Sequence, residues 1–551
     1  MSPTTAWWRD AVIYQIYPRS FMDSTGDGTG DLAGITQRLD YVAELGADAI
    51  WVSPFVRSPM ADFGYDVSDF CAIEPLFGSM TQFRRLLDRT HALGMRFIMD
   101  QVWNHSSDQH AWFQTSRRSR DNDKADWYVW ADPAADGGPP NNWRATFGGS
   151  AWTWEPLRQQ YYLHNFLTQQ PDLNWFNPDV RAAMLDVGRF WLDEGVDGFR
   201  LDVINFLGHD PALADNPRRP ANRPRPAGAD PRDPYFETIN TGTVCRPESL
   251  PWLTEIRSLL DEYPDRMALG EISSAEDTLA AAAEYVHGDD RLHSAYNAAL
   301  ISHEPFTREG LTEVVQQVNL RFPDHRLCWT FGTHDFPRLK SRWWPQGRPA
   351  DSQVEHGDAL DRLLCLLLMV LPGSCCIYQG DELGLPQAQV PLDRMRDPYG
   401  IANYPLLLGR DGCRTPMPWA RYDPGAGFSD ADDTWLPIPD AHRPLAVDQQ
   451  TAAADSLLQF YRAAIDWRRR HPALGTGSLR LLPTADPVLS LVRDHPEQPL
   501  WGVFNLAAHS VTQHAPESDL RPVAAGLTDC SVRQGQLSLP PYGVALLGRP
   551  N

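Results

Sequence analysis

The chain has 551 residues, enough for several domains. With 42% hydrophobic residues, 11% aromatics and 20 tryptophans it can bury a large core, which excludes a disordered or collagen-like protein. The 49 lysines and arginines stand against 71 aspartates and glutamates, a formal net charge of −22 that repels nucleic-acid phosphates and anionic lipid, so neither is an expected partner.

In chain order, short apolar runs predict strands at Ala11–Tyr17, Ala49–Phe55, Arg96–Val102, Gly198–Val203, Ala268–Ile272, a weaker one near Ser294–Leu300, Leu327–Asp335 and Ser374–Gly380. Between them lie patterns such as ITQRLDYVAELG and VRAAMLDVGRFWLDEG, whose apolar positions recur three and four apart. Eight strand–helix units predict an α/β protein built on a (β/α)8 TIM barrel.

The rhythm breaks after the third strand, where a Trp-, Asn- and Gly-rich stretch is too long for a βα loop and predicts a small inserted domain. Another break, His209–Pro251, carries DNPRRPANRPRPAGADPRDP and reads as a Pro-rich linker, which inside a barrel sits over the catalytic face, or as a wall or lid there. The eighth unit has a long connection, 381–455, and beyond His471 short alternating segments predict a C-terminal antiparallel β domain. The expected organisation is therefore barrel 1–103, inserted domain 104–174, barrel 175–471 and β domain 472–551.

The eight cysteines form no C-x-x-C pair, and several sit in apolar runs, so buried free thiols are expected. Met1–Asp10 lacks the basic and apolar segments of an export signal, and no apolar stretch is long enough for a membrane span. A cytoplasmic location is the expectation. The only lysines, Lys124 and Lys340, lie outside any Gly-Lys-Ser/Thr loop, which argues against nucleoside triphosphates.

Working residues of such a barrel sit at the C-terminal strand ends. Asp100 falls in the third strand, Asp202 ends the fourth, Glu271 the fifth and Asp335 the seventh. Carboxylates gathered in one cleft raise at least one pKa, which lets a site hold an acid and an anion together. Arg200, two residues before Asp202, shares its face of the strand and would keep it ionised. Two carboxyls in an aromatic surround are what glycoside hydrolysis requires.

DQVWNH, GFRLDV, ALGEI and GTHDFPR stand in this order, with QPDLN, AVIYQIYPRSF, GYDVSDF, YQGDELG and RTPMPW around them. Through these motifs the chain resembles the α-amylase family, glycoside hydrolase family 13, and within it the α-glucosidase and oligo-1,6-glucosidase group. The resemblance implies Asp202 as nucleophile, Glu271 as general acid and base, and Asp335 as the carboxylate that stabilises the transition state. It also implies a glucose pocket of Asp62, Tyr65, His105, Arg200, Val203, His334 and Arg414, with Arg410 a nearby alternative to Arg414. Phe147 and Phe166 are candidates to stack on an acceptor sugar, or to pack in the core. The sequence departs from the family in Thr333, where Asn usually precedes the His-Asp pair.

DSTGDGTGD, Asp23 to Asp31, begins like a calcium loop but lacks an EF-hand's residues at Thr25 and Gly34. The resembling enzymes carry a structural metal there, which implies Ca²⁺ or Mg²⁺ on Asp23, Thr25, Asp27, the carbonyl of Thr29 and Asp31. No organic cofactor is expected.

The implied function is a retaining exo-α-glucosidase acting on short α-glucosides, with sugars or alcohols as further acceptors and the two carboxyls about 5–5.5 Å apart. The rivals are a transglucosylase or isomerase acting on sucrose, maltose or trehalose, and a non-catalytic relative, which would lack the carboxylates. Val203 after the nucleophile favours α-1,6 bonds, whereas GRDGCRTPMPW and the long segment after the fourth strand look maltase-like, so the linkage stays open.

Overall fold

The structure is a computed structural model that describes residues 6–297, 299, 301, 307–343 and 358–550. Eight parallel strands form the barrel: β1 (Val12–Ile16), β2 (Ala49–Val52), β3 (Arg96–Gln101), β4 (Gly198–Leu201), β5 (Met267–Ile272), β6 (Ser294–Asn297), β7 (Cys328–Thr330) and β8 (Ser374–Tyr378). They pair in the order β6-β5-β4-β3-β2-β1-β8-β7, and a parallel bridge between Ala295 and Leu327 joins the two ends.

Each strand is followed by its crossover helix: α1 (Leu32–Leu45), α2 (Met80–Ala92), α3 (Pro178–Asp193), α4 (Leu250–Asp261), α5 (Thr278–Tyr285), α6 (Arg308–Arg321), α7 (Ala359–Val370) and α8 (Leu457–Arg470). Side-chain oxygens satisfy the free amides at several helix starts, as Asp31 accepts from Gly34 before α1 and Ser79 from Gln82 before α2. α1 ends where Gly46 turns left-handed at φ 100°.

Alternation along the strands divides the core. Ile13, Ala49, Trp51, Ile98, Met267, Leu269, Tyr296, Cys328 and Cys376 fill the barrel interior, while Val12, Tyr14, Ile50, Phe97, Phe199 and Ile377 pack outward among the helices. All eight cysteines are free.

Several strands are shorter than their apolar runs. β2 stops before Ser53-Pro54, because proline has no amide to give to a ladder. β7 covers only Cys328–Thr330, as the Thr330 hydroxyl donates to the Gly332 carbonyl and turns the chain out of the sheet. Asp335 thus stands on a loop. Of the weak sixth strand, Ser294–Asn297 is a strand and its predicted end at Leu300 lies outside the described residues.

Bridges His105–Asp172 and Tyr128–Leu173 tie the two ends of the insertion after β3 together. Inside it, Gln160–Leu163 pairs antiparallel with Trp130–Ala131 and Trp152–Glu155 over a small core of Val129, Trp143, Trp152 and Leu163. The Pro-rich segment after β4 docks on this insertion: Trp143 Nε1 donates to the Ala214 carbonyl at 2.8 Å, and Asn142 to that of Asn216 at 2.9 Å. At the C-terminus a five-stranded antiparallel sheet, Ser478–Leu482 to Val544–Gly548 among its strands, faces a three-stranded sheet across Val492, Trp501, Leu537 and Leu547. Among the described residues no helix is long and apolar enough to cross a membrane.

Candidate active site

The inward faces of β3, β4, β5 and β6 converge on one buried guanidinium. Arg200 Nη1 donates to Asp100 Oδ1 at 2.8 Å and to Asp202 Oδ1 at 2.5 Å, while Nη2 donates to Glu271 Oε2 at 2.5 Å. The guanidinium lies over Trp51, 4.9 Å from the ring centre, and Trp51 Nε1 donates to Asp100 Oδ2 at 3.0 Å. Arg200 and Asp202, two residues apart, share one face as strand periodicity requires. Among the described residues Asp202 Oδ2 and Glu271 Oε1 carry no hydrogen bond, so each anchored carboxyl keeps one oxygen for the pocket.

Glu271 Oε2 also accepts from the Val203 amide at 3.0 Å. That bond depends on an unusual backbone: Val203 is left-handed at φ 36°, ψ 44°, where a β-branched residue is strained by about 1–3 kcal/mol. The strained turn aims the amide next to Asp202 at the second carboxyl.

Burial pushes the Asp202 carboxyl well above the usual range, with Glu271 and Asp100 adding to the rise and Arg200 opposing it. Asp100 is pushed up to about 6, again by burial against the pull of Arg200. Burial thus favours the protonated form of both Asp100 and Asp202, and Arg200 opposes it at each.

Asp335 has the opposite setting. Burial alone would raise it, but His334, Arg414 and Arg410 hold it below the ordinary carboxylate range. The charge comes from the arginines, Arg414 Nη2 at 2.9 Å and Arg410 Nη1 at 3.2 Å, since burial lowers the His334 pKa well below its usual value and leaves the ring neutral. His334 is fixed by Gln15 at 2.7 Å on one nitrogen and by the Tyr65 hydroxyl at 2.7 Å on the other. The Thr333 hydroxyl accepts from the Asp335 amide at 3.2 Å, so the residue that departs from the family pattern braces the loop.

Arg410 Nη2 binds Asp62 Oδ1 at 2.7 Å and Asp397 Oδ1 at 2.8 Å, with its guanidinium 4.8 Å from the Phe147 ring centre. His105 contacts Asn104, the Tyr65 carbonyl and Gln170, and burial lowers its pKa to about 3. Phe166 packs between His105 and Phe206 and meets Phe147 edge-on at 5.8 Å. Asp62, Tyr65, His105, Phe147, Phe166, Asp202, Val203, Glu271, Asp335 and Arg410 all line one cavity of about 160 Å³. That is below the roughly 300–1,000 Å³ of drug-sized ligand sites, so the cavity suits a single small ring. Arg200, His334 and Arg414 stand behind its wall as supports, each 1% exposed or less.

A second cavity of about 440 Å³ adjoins it, sharing Thr146, Ser274, Asp335, Phe336 and Arg410 and bounded by Ala229–Asp233 and Tyr399–Arg410. The Tyr399 hydroxyl donates to Asp233 Oδ2 at 2.8 Å and ties these two segments together.

Sequence reasoning left out Gln15, Gln170, Tyr296 and Asp397. Gln15 and Tyr296 are inward positions of barrel strands, a signal that alternation could have given. Asp397, in the long connection after β8, has no periodicity to mark it.

The Asp23–Asp31 loop is closed by its own amides. Asp23 Oδ1 accepts from Thr25 and Gly26, Oδ2 accepts from Gly28 at 2.8 Å and from the Ser429 hydroxyl at 2.5 Å, Asp27 Oδ1 accepts from Thr29, and Asp31 accepts from Ser24 and caps α1. Among the described residues no group of three or more His, Cys, Asp or Glu side chains is gathered to hold a metal ion. As arranged, these residues do not fit a cation.

The barrel gathers Asp202, Glu271 and Asp335 at its C-terminal rim, an enzyme's arrangement whose class the comparison with known proteins supplies. The family described as "Alpha amylase, catalytic domain" matches residues 15–477, and the chain belongs to it. It is 45% identical to a probable alpha-glucosidase of Rhizobium meliloti (strain 1021), covering 98% of this chain and 97% of that protein, and 35% identical to an oligo-1,6-glucosidase of Halalkalibacterium halodurans, covering 91% of each. Among solved structures, the alpha-glucosyl transfer enzyme XgtA superposes with a TM-score of 0.94 at 48% identity over 99% of this chain and all of that one. The trehalulose synthase MutB from Pseudomonas mesoacidophila MX-45 gives 0.87 at 30% identity, with the same coverage.

Proposed function

We propose that this protein is a retaining exo-α-glucosidase that removes terminal glucose from short α-glucosides and can hand it to sugar or alcohol acceptors. The observation that carries this reading is the Arg200 clamp, which holds Asp202 and Glu271 by one oxygen each and leaves the other oxygen of each toward a one-ring pocket.

Asp202 Oδ2 attacks C1 of the bound glucose, and the bond from C1 to the leaving oxygen breaks as that oxygen takes the proton of Glu271. The oxygen that delivers this proton is Glu271 Oε1, which the Arg200 clamp leaves free. Positive charge growing at the sugar ring favours Asp202 as the anion. Glu271 then takes a proton from water or an acceptor hydroxyl, whose oxygen displaces Asp202 and restores the α configuration. Asp335, kept ionised by two arginines, grips hydroxyls of the ring. No organic cofactor enters these steps.

The buried Asp62–Arg410 ion pair, 3% and 9% exposed, forms part of one wall of the pocket, and exo action is read with this pair as the end of the site beyond the terminal sugar. The 440 Å³ cavity next to it gives a leaving sugar or an acceptor its room, and this favours transfer as a second reading, toward the chemistry of the rival transglucosylases and isomerases. Val203 tilts the linkage toward α-1,6, GRDGCRTPMPW and the long segment after β4 tilt it toward maltase-type bonds, and the linkage stays open. A cytoplasmic location is part of the proposal and suits eight free thiols. A structural Ca²⁺ or Mg²⁺ at the Asp23–Asp31 loop is a separate proposal that requires the loop to rearrange.

A proton NMR time course on equimolar maltose and isomaltose tests the reading. First-formed α-glucose is expected, with the faster-falling disaccharide naming the linkage. β-Glucose formed in excess of the mutarotated glucose released from the reducing end would overturn the double displacement, and transfer products dominating at low acceptor concentration would replace hydrolase with transferase.

A further inference from the structure

Arg200 has five N–H groups, and the described structure accounts for all of them. Nη1 serves Asp100 and Asp202, and Nη2 serves Glu271. The remaining two, on Nε and Nη2, donate to a single uncharged acceptor, the Tyr296 hydroxyl, at 3.1 and 2.6 Å. Tyr296 stands on β6, its ring 5.7 Å from that of Trp51, on the opposite edge of the guanidinium from Asp100. It reaches none of the reacting groups by any hydrogen bond of its own among the described residues.

We propose that Tyr296 is a positioning residue whose hydroxyl sets the rotation of the Arg200 guanidinium and thereby the placement of Glu271 for proton delivery. The inference rests on the retaining reading above. Arg200 is fully buried, so its N–H groups cannot turn to water if an acceptor is lost. Nη1 is pinned by two carboxylates, whereas Nη2 is pinned by Glu271 and Tyr296. Without the tyrosine hydroxyl the fork swings about the pinned Nη1, and the end that moves is the one that holds Glu271. The neutral hydroxyl also occupies two donors that would otherwise turn toward carboxylates. Around the fork stand Asp100 on β3, Asp202 after β4, Glu271 on β5, and His334 and Asp335 on the loop after β7, with Tyr65 hydrogen-bonded to both Asp100 and His334.

The test is Tyr296→Phe, which keeps the ring and removes the acceptor, assayed on maltose and on α-glucosyl fluoride. Fluoride leaves without needing a proton, and kcat/KM reports only glycosylation and not the shared second step in which Glu271 acts as base, so a defect in proton delivery lowers kcat/KM on maltose alone. The expected result is a kcat/KM on maltose about tenfold lower or worse and a loss of kcat/KM on α-glucosyl fluoride below about threefold. Equal losses on both substrates, or none on maltose, would overturn the proposal. Tyr296→Gln restores an oxygen acceptor beside the guanidinium and should keep more maltose activity than the Phe variant, while less activity counts against the role even if the Phe variant folds poorly. Release of α-glucose from both substrates by the unmodified enzyme checks the underlying function separately, and without it both the reading and the positioning role fall.

Discussion

Arg200 Nη1 lies 2.5 Å from Asp202 Oδ1, two residues further along the same strand edge, so the nucleophile and the cation that steadies it are set by a single alternation of the backbone. A lysine could not replace this arrangement, because one ammonium cannot face Asp100, Asp202, Glu271 and Tyr296 at fixed angles. Arg200→Lys is expected to cut kcat by about 10³-fold or more and to lower stability by about 3–5 kcal/mol, the range for breaking a buried ion pair. Thermal melting and steady-state kinetics measure both effects, and a stable, active variant would refute the clamp.

Asp202→Ala and Glu271→Ala should each lower kcat by about 10⁴-fold or more while the fold persists. Azide separates their roles. In the first variant azide enters the vacated face and gives β-glucosyl azide, whereas in the second it attacks the covalent intermediate and gives α-glucosyl azide. The opposite pairing of anomers would exchange the two assignments.

The Tyr399–Asp233 hydrogen bond joins two insertions across the outer cavity. Tyr399→Phe frees them, so the kcat/KM for maltotetraose relative to maltose should rise by about threefold or more, the equivalent of roughly 0.7 kcal/mol. An unchanged ratio would show that the bond does not limit chain length.

Asp172, in the QPDLN motif, is pushed up to about 7 by burial, against hydrogen bonds from Asn165. Its folded pKa exceeds its unfolded value of about 3.9, so the folded state holds the extra proton between those limits. The stability it contributes is complete below about pH 4 and declines as pH rises through 7. Asp172→Asn, which cannot ionise, should flatten the fall in Tm between pH 5 and 8, and a slope equal to that of the unmodified protein would contradict the assignment.

The proposed cation at the Asp23–Asp31 loop predicts a lower Tm after chelation with EDTA, whereas a Tm held within about 1 °C would leave the oxygens of Asp23 and Asp31 to the amides that engage them. A loss of about 5 °C or more, restored by Ca²⁺, would show that the loop reorganises around a bound cation.

Much of this was legible beforehand for a physical reason. Barrel strands buried on both faces write themselves as apolar runs, and the carboxylates that end them stand out against that background, as Asp202 and Glu271 do. What was hidden lies in residues whose role depends on distant partners. Arg410 gathers Asp62, Asp335 and Asp397 from three separate loops, and no local pattern distinguishes it from Arg414 four positions on. Tyr296 sits on the weakest strand run, and its neighbours in the barrel, not its neighbours in the chain, give it a task. The end of β7 was overestimated because a strand that turns out at Gly332 reads like one that continues.

Removal of sugars at the pocket that Asp62 and Arg410 help to wall changes what concentration means for this enzyme. It engages only the last sugar of a chain, so a gram of long glucan and a gram of disaccharide differ as substrates by the number of free termini they present. Its rate in a mixture is a census of chain ends, each weighted by how the sugars behind it fit the outer cavity.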